Sequence, residues 1–169
     1  MAERKYAQYV NELQKDTKIK SILGQGKLAQ PILQSRIQGE TNYYIDNMMI
    51  YAPGFGIGMG GTMQDMENGQ EIKDLPMKHT FAEVFLLIGT NPEDNTDLGG
   101  EVEVWLGEGD EAEKYIINKT SCIYVPPGVV HCPIYFRKVT RPIVMVMIAN
   151  ISNYSTTLAE LPKKFNPDL

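Results

Sequence analysis

The chain has 169 residues, enough for one domain and, at most, a very small second one. Its 43% hydrophobic and 22% charged residues exclude a disordered chain, and the longest apolar run, 143–149, is far shorter than the ~20 residues of a membrane helix. A net charge of −5 argues against nucleic acid as the main partner, and the two cysteines, Cys122 and Cys132, cannot build a disulfide scaffold. The first residues, Met-Ala-Glu-Arg-Lys-Tyr, lack the apolar stretch of a signal peptide, so the expectation is a cytoplasmic protein without a membrane partner.

Residues 1–40 hold seven bases and four acids, a segment of +3 that leaves −8 for the rest. Tyr6, Val10 and Leu13 recur at helical spacing and predict a helix near 2–14; Asp16 or Thr17 would cap a second short helix ended by Gly24. We read this segment as a helical N-terminal arm rather than a helix-turn-helix unit, for which Gly24, Gly26 and Pro31 leave too little uninterrupted chain. From residue 42 the pattern changes to short apolar runs broken by glycine and proline. Residues 42–52, 78–88, 101–106, 114–117, 121–125, 130–136 and 143–151 read as strands. Gly107-Glu108-Gly109-Asp110 is a natural hairpin connection, and 144–148, apolar at every position, should be a central buried strand. No helical stretch interrupts this series, which points to an all-β antiparallel sandwich or small barrel over 41–151, followed by an exposed C-terminal tail, 152–169.

Gly54-Phe-Gly56-Ile-Gly58-Met-Gly60-Gly61 satisfies G-x-G-x-x-G through Gly56, Gly58 and Gly61. A dinucleotide site needs a helix to follow that loop, and 62–69 offers none of useful length; a strand whose glycines admit a close neighbour fits better. The only two histidines, His79 and His131, say more. Two imidazoles and a carboxylate, here Glu83, are a minimal three-ligand metal set if they converge. On a straight strand His79 and Glu83 would lie about 13 Å apart, too far for ligands each ~2 Å from one ion. The chain must therefore turn between them. Pro126-Pro127-Gly128 is a turn that would deliver His131 at the start of the next strand.

These residues resemble the motifs of the cupin superfamily, G-x5-H-x-H-x3–4-E-x6-G and G-x5-P-x-G-x2-H-x3-N. His79 and Glu83 match the second His and the acid of the first; Pro126, Gly128 and His131 match the second at its spacing. The sequence departs at Met77, which stands where the first metal His would be, at Gly89, one residue early, at Thr120 for the leading Gly, and at Tyr135 for the final Asn. The resemblance spans roughly 50–150 and implies a small single-domain cupin. It further implies an antiparallel β-barrel of jelly-roll type, with a divalent transition metal (Fe, Mn, Ni or Zn) held in the lumen by His79, Glu83 and His131.

Two function classes follow. One is a metal-dependent enzyme (an oxygenase, isomerase or lyase) acting on a small polar metabolite; the other is a non-catalytic cupin that binds or senses a small molecule. Tyr135, two by two from His131 in strand register, is expected in the lumen as a candidate catalytic hydrogen-bond donor or proton shuttle, with Cys132 facing away. The resemblance also implies a homodimer. The aromatic and methionine-rich stretch 43–51 is the candidate contact.

Overall fold

A computed structural model describes residues 12–15, 28–30, 33–37, 42–58, 62–64, 71–73, 76–151 and 155–166. In chain order the strands are β1 (Gln14–Lys15), β2 (Leu33–Ile37), β3 (Tyr43–Ile50), β4 (Gly56–Ile57), β5 (Thr62–Gln64), β6 (Glu71–Lys73) and β7 (Met77–His79). They continue with β8 (Glu83–Gly89), β9 (Asp97–Leu106), β10 (Glu113–Lys119), β11 (Ser121–Val125), β12 (His131–Val139), β13 (Ile143–Asn150) and β14 (Thr156–Leu158). No helix occurs among the described residues. None of them therefore forms a helix long and apolar enough to cross a membrane.

One sheet has the order β1-β2-β3-β13-β8-β11 and the other β10-β9-β12-β7-β14, with β4 added to β12 and β5–β6 forming a separate pair. Every pairing is antiparallel. The two six-stranded layers share one core: Met48, Phe85, Leu87 and Met145 meet Val102, Val104, Ile134 and Phe136, all buried. This is a two-sheet sandwich rather than one closed hydrogen-bonded barrel, so the all-β expectation is met and closure is not seen among the described residues.

The expected helical arm lies mostly outside the described residues. What is described of 1–40 is extended: Gln14–Lys15 pairs with β2, and β2 extends the first sheet beside β3. The helix expected near 2–14 therefore does not reach Gln14. The stretch 43–51 is also not an edge. As β3 it lies between β2 and β13 and buries alternate residues Tyr44, Asp46, Met48 and Ile50. The hairpin at 107–110 joins β9 to β10 as expected, and the doubly apolar β13 is central in its sheet, flanked by β3 and β8.

The glycine-rich segment is strand-like. Gly56–Ile57 pairs with Tyr135 and Ile134, and Thr62–Gln64 is strand where a dinucleotide site would need a helix. Gly58, at φ 76°, stands so close to Cys132 that a Cβ there would be 2.5 Å from the cysteine Cβ. The glycine is needed for close approach, not for phosphate.

Candidate metal centre

His79 ends β7 in the second sheet, and Glu83 begins β8 in the first. The three residues between them carry the chain from one layer to the other, which is the turn that ligand convergence demands. Phe81 in this connection stacks flat on the His79 ring, centroids 4.6 Å apart and planes 7° apart. His131 is the first residue of β12, placed there by the turn after Pro126. In that turn Gly128 takes φ 82°, and its N–H donates to His79 O at 2.8 Å, tying the two histidine-bearing segments together.

The three side chains converge. Nε2 of His131 lies 2.9 Å and Nε2 of His79 3.6 Å from Glu83 Oε2, and one ligand atom from each of the three falls within 4.8 Å of the others. All three are 5% exposed or less, so water does not dilute the charge. Phe85 flanks the His131 ring, and Met77 is buried opposite His131 in the β7–β12 register.

The outer ring nitrogens define what the inner ones offer. His79 Nδ1 donates to Ser155 O at 2.9 Å, with Thr156 Oγ1 3.2 Å away, and His131 Nδ1 donates to Val129 O at 3.2 Å. A carbonyl only accepts, so each ring carries a hydrogen on Nδ1, and a ring in its neutral form then has its lone pair on Nε2, facing the carboxylate. Burial pushes the His79 pKa below the ordinary imidazole value, against the Glu83 carboxylate, which pulls it up. Among the described residues Glu83 Oε2 has no hydrogen-bond partner, while His131 Nε2 stands against it at ion-pair distance, 2.9 Å. Two lone pairs aimed at an unsatisfied buried carboxylate oxygen are unfavourable alone and suit a cation between them.

Tyr135 is elsewhere. His131 pairs with Leu106 but Ile134 with Val104, so β12 spends one residue more than β9 over that interval. This bulge, where Cys132 has φ 77°, reverses the alternation. Cys132 joins the core instead of facing away. Ile134 and Phe136 then point inward, and Tyr135 lies on the outer face of the second sheet. There it packs under Arg137, whose guanidinium carbon is 4.4 Å from its ring centre, and edge-on to Phe165. The expectation that Tyr135 shares a lumen with His131 is corrected by this slip.

The described part of the tail, 155–166, keeps Thr157, Leu158, Glu160, Leu161, Lys163 and Lys164 exposed, as expected, but it is also docked. Phe165 sits edge-on to Trp105 and Tyr135, and Arg137 Nη2 donates to Asn166 O at 2.6 Å. Arg137 also grips Glu103 through two nitrogens at 2.8 and 3.1 Å, and Trp105 Nε1 donates to the same carboxylate. Burial would raise the Glu103 pKa, but Arg137 and Trp105 together hold it below the usual range. Ser155 and Thr156, which support His79, were missed by sequence reasoning; no local pattern marks a contact 76 or 77 residues from its partner.

No protein-family model matches the chain, and a search of curated proteins found no match. Among solved structures it is similar to vicilin from Corylus avellana (hazelnut), at 10% identity and TM-score 0.48, covering 86% of this chain and 35% of that one. It is similar to an oxalate oxidase in complex with the substrate analogue glycolate, at 14% identity and TM-score 0.49, covering 94% and 67%. It is also similar to oxalate decarboxylase from Bacillus subtilis, at 11% identity and TM-score 0.45, covering 75% and 27%. The chain thus spans about a third of the vicilin and about a quarter of the decarboxylase. With TM-scores below 0.5 these likenesses carry no weight for chemistry, which rests on His79, Glu83 and His131. The solved structures to which the chain is similar are cupin-fold proteins, the superfamily that its two histidine motifs resemble.

Proposed function

We propose that His79, Glu83 and His131 hold one divalent transition metal ion (Fe, Mn, Ni or Zn) and that the protein is a metal-dependent enzyme acting on a small polar metabolite. One observation carries this reading: a buried carboxylate oxygen without a hydrogen bond, faced by two imidazole nitrogens whose opposite nitrogens are already engaged with backbone carbonyls. Two imidazoles and one carboxylate bind one side of an ion and leave about three positions for water and substrate. An ion so held supplies Lewis-acid polarisation of a substrate oxygen or access to dioxygen chemistry, which accommodates isomerase, lyase and oxygenase reactions. The chain's own part is to hold both rings in one tautomer, to supply one negative charge, and to exclude water with Met77, Phe81 and Phe85.

Protein purified without chelator or affinity tag should contain about one such ion per chain, and His131→Ala should lose most of it with the fold intact. Equal metal content in the two proteins would overturn the reading and leave the small-molecule-binding alternative.

The proposal includes a homodimer. Residues alternate with the core set along β3, β8 and β13, so Ile45, Met49, Val84, Leu86, Val144, Val146 and Ile148 share the outward face of the first sheet, half-buried and uncharged. Over three strands and three rows this face spans about 14 by 20 Å, with Asn47 in its middle row, and an apolar face of a few hundred Å² is the size from which interaction sites are built. Two copies stacked on it by a twofold axis would cover it without any charge pairing. A monomer in sedimentation at micromolar concentration would refute this.

A further inference from the structure

The C-terminal segment touches the candidate metal centre and is anchored far from it. At its near end β14 pairs with β7, setting Thr156 opposite His79 and Leu158 opposite Met77. Ser155 O accepts from His79 Nδ1, Thr156 Oγ1 lies 3.2 Å from the same nitrogen, and Thr80 Oγ1 meets Ser155 Oγ at 2.6 Å. Ala159 N–H donates to Pro76 O at 2.7 Å, closing this short ladder. Three paired residues are a weak strand on their own. The far end supplies what the ladder lacks: Lys163 N–H donates to Gly109 O, Lys163 Nζ meets Asp110, Phe165 enters the Trp105–Tyr135 corner, and Asn166 O takes the second arm of Arg137. Arg137 itself is fixed by buried Glu103.

We propose that the C-terminal segment is a positioning element for the metal site: docking of Phe165 and Asn166 on the outer face of the second sheet holds β14 against β7, and Ser155 and Thr156 then fix the ring of His79 with Nε2 toward Glu83. It rests on the metal reading above for its functional meaning, but not for its geometry. Ligand imidazoles are oriented by what their other nitrogen donates to, and loss of such a partner typically costs 10–100-fold in metal affinity. His131 takes its support from Val129, within its own turn, and is independent of the tail.

The test is Phe165→Ala in the full-length chain. Trp105 is the only tryptophan and Phe165 packs on it, so its emission reports docking directly. The expected result is a red-shifted emission and a His79 ring whose nitrogen NMR signals move toward averaged tautomers in metal-free protein. The His131 signals should stay in place, and affinity for Mn2+ and Zn2+ should fall about tenfold. Phe165→Tyr should restore all three. A shifted Trp105 emission with unchanged His79 signals and unchanged affinity overturns the proposal. Should Phe165→Ala fail to fold, Phe165→Leu keeps the apolar bulk and removes the edge-on ring contacts; a shifted emission with an unmoved His79 ring overturns the proposal there too. If wild-type protein binds neither ion, the metal reading fails, whereas the His79 signals of metal-free protein still decide the positioning role.

Discussion

His131 is supported by the turn that delivers it, through Val129 O two residues earlier, whereas His79 is supported by Ser155 O, 76 residues later in the chain. Both rings present Nε2 to the same carboxylate oxygen, so the site joins one half that folds with its own turn to one that needs the finished tertiary structure. Locally supported ligands are specified by motif; remotely supported ones inherit their geometry from whatever holds the remote segment. Damage at the second kind of ligand can therefore start far from the site.

The comparison breaks most completely at the residue shared by both halves. Glu83→Gln should weaken metal binding by more than about tenfold, because it removes the only charged ligand. The same change should raise the melting temperature of the metal-free protein, since a buried acceptor without a hydrogen bond costs about 1–3 kcal/mol and the amide can donate toward an imidazole lone pair. Calorimetry on metal-free samples checks this; a lower melting temperature in the variant would count against two unprotonated Nε2 atoms facing the carboxylate.

Gly128→Ala tests the local half. Nothing lies within 4 Å of the added Cβ, so the cost is that of forcing alanine to φ 82°, about 1–2 kcal/mol. Chemical denaturation should show that loss, and NMR of the ring nitrogens should show His131 disturbed more than His79. Thr156→Val tests the remote half more gently. It keeps the volume and removes the hydroxyl beside His79 Nδ1, leaving Ser155 O in place, so affinity should fall only about two- to threefold by titration calorimetry. The smallest effect is expected at Met77→Leu. A volume-conserving swap at this buried position should cost less than about 1.5 kcal/mol and leave metal occupancy unchanged by elemental analysis. A clear loss of metal would make the thioether a ligand.

Much of this site was legible before any coordinates. Glu83, four residues after His79, cannot share one ion with it on a straight strand, so a turn at 80–82 onto a new strand followed from strand rise alone, while the change of sheet did not. Pro126 and Gly128 announced the turn that starts β12 at His131, and the alternation of 101–106 announced β9. The sequence also determined that the described residues from 42 onward are all-β, because short apolar runs between turn residues favour strands. Tertiary structure decided the rest. A period-two pattern assigns faces only until a bulge intervenes, and the extra residue after His131 moved Tyr135 to the outer face and Cys132 into the core. The tail carried no pattern of its own; Phe165 docks because Trp105, Tyr135 and Arg137 from two other strands assemble a corner for it. His79 gained its support in the same way, from a carbonyl that any residue at position 155 would supply, since a backbone acceptor leaves no signature in the amino-acid sequence.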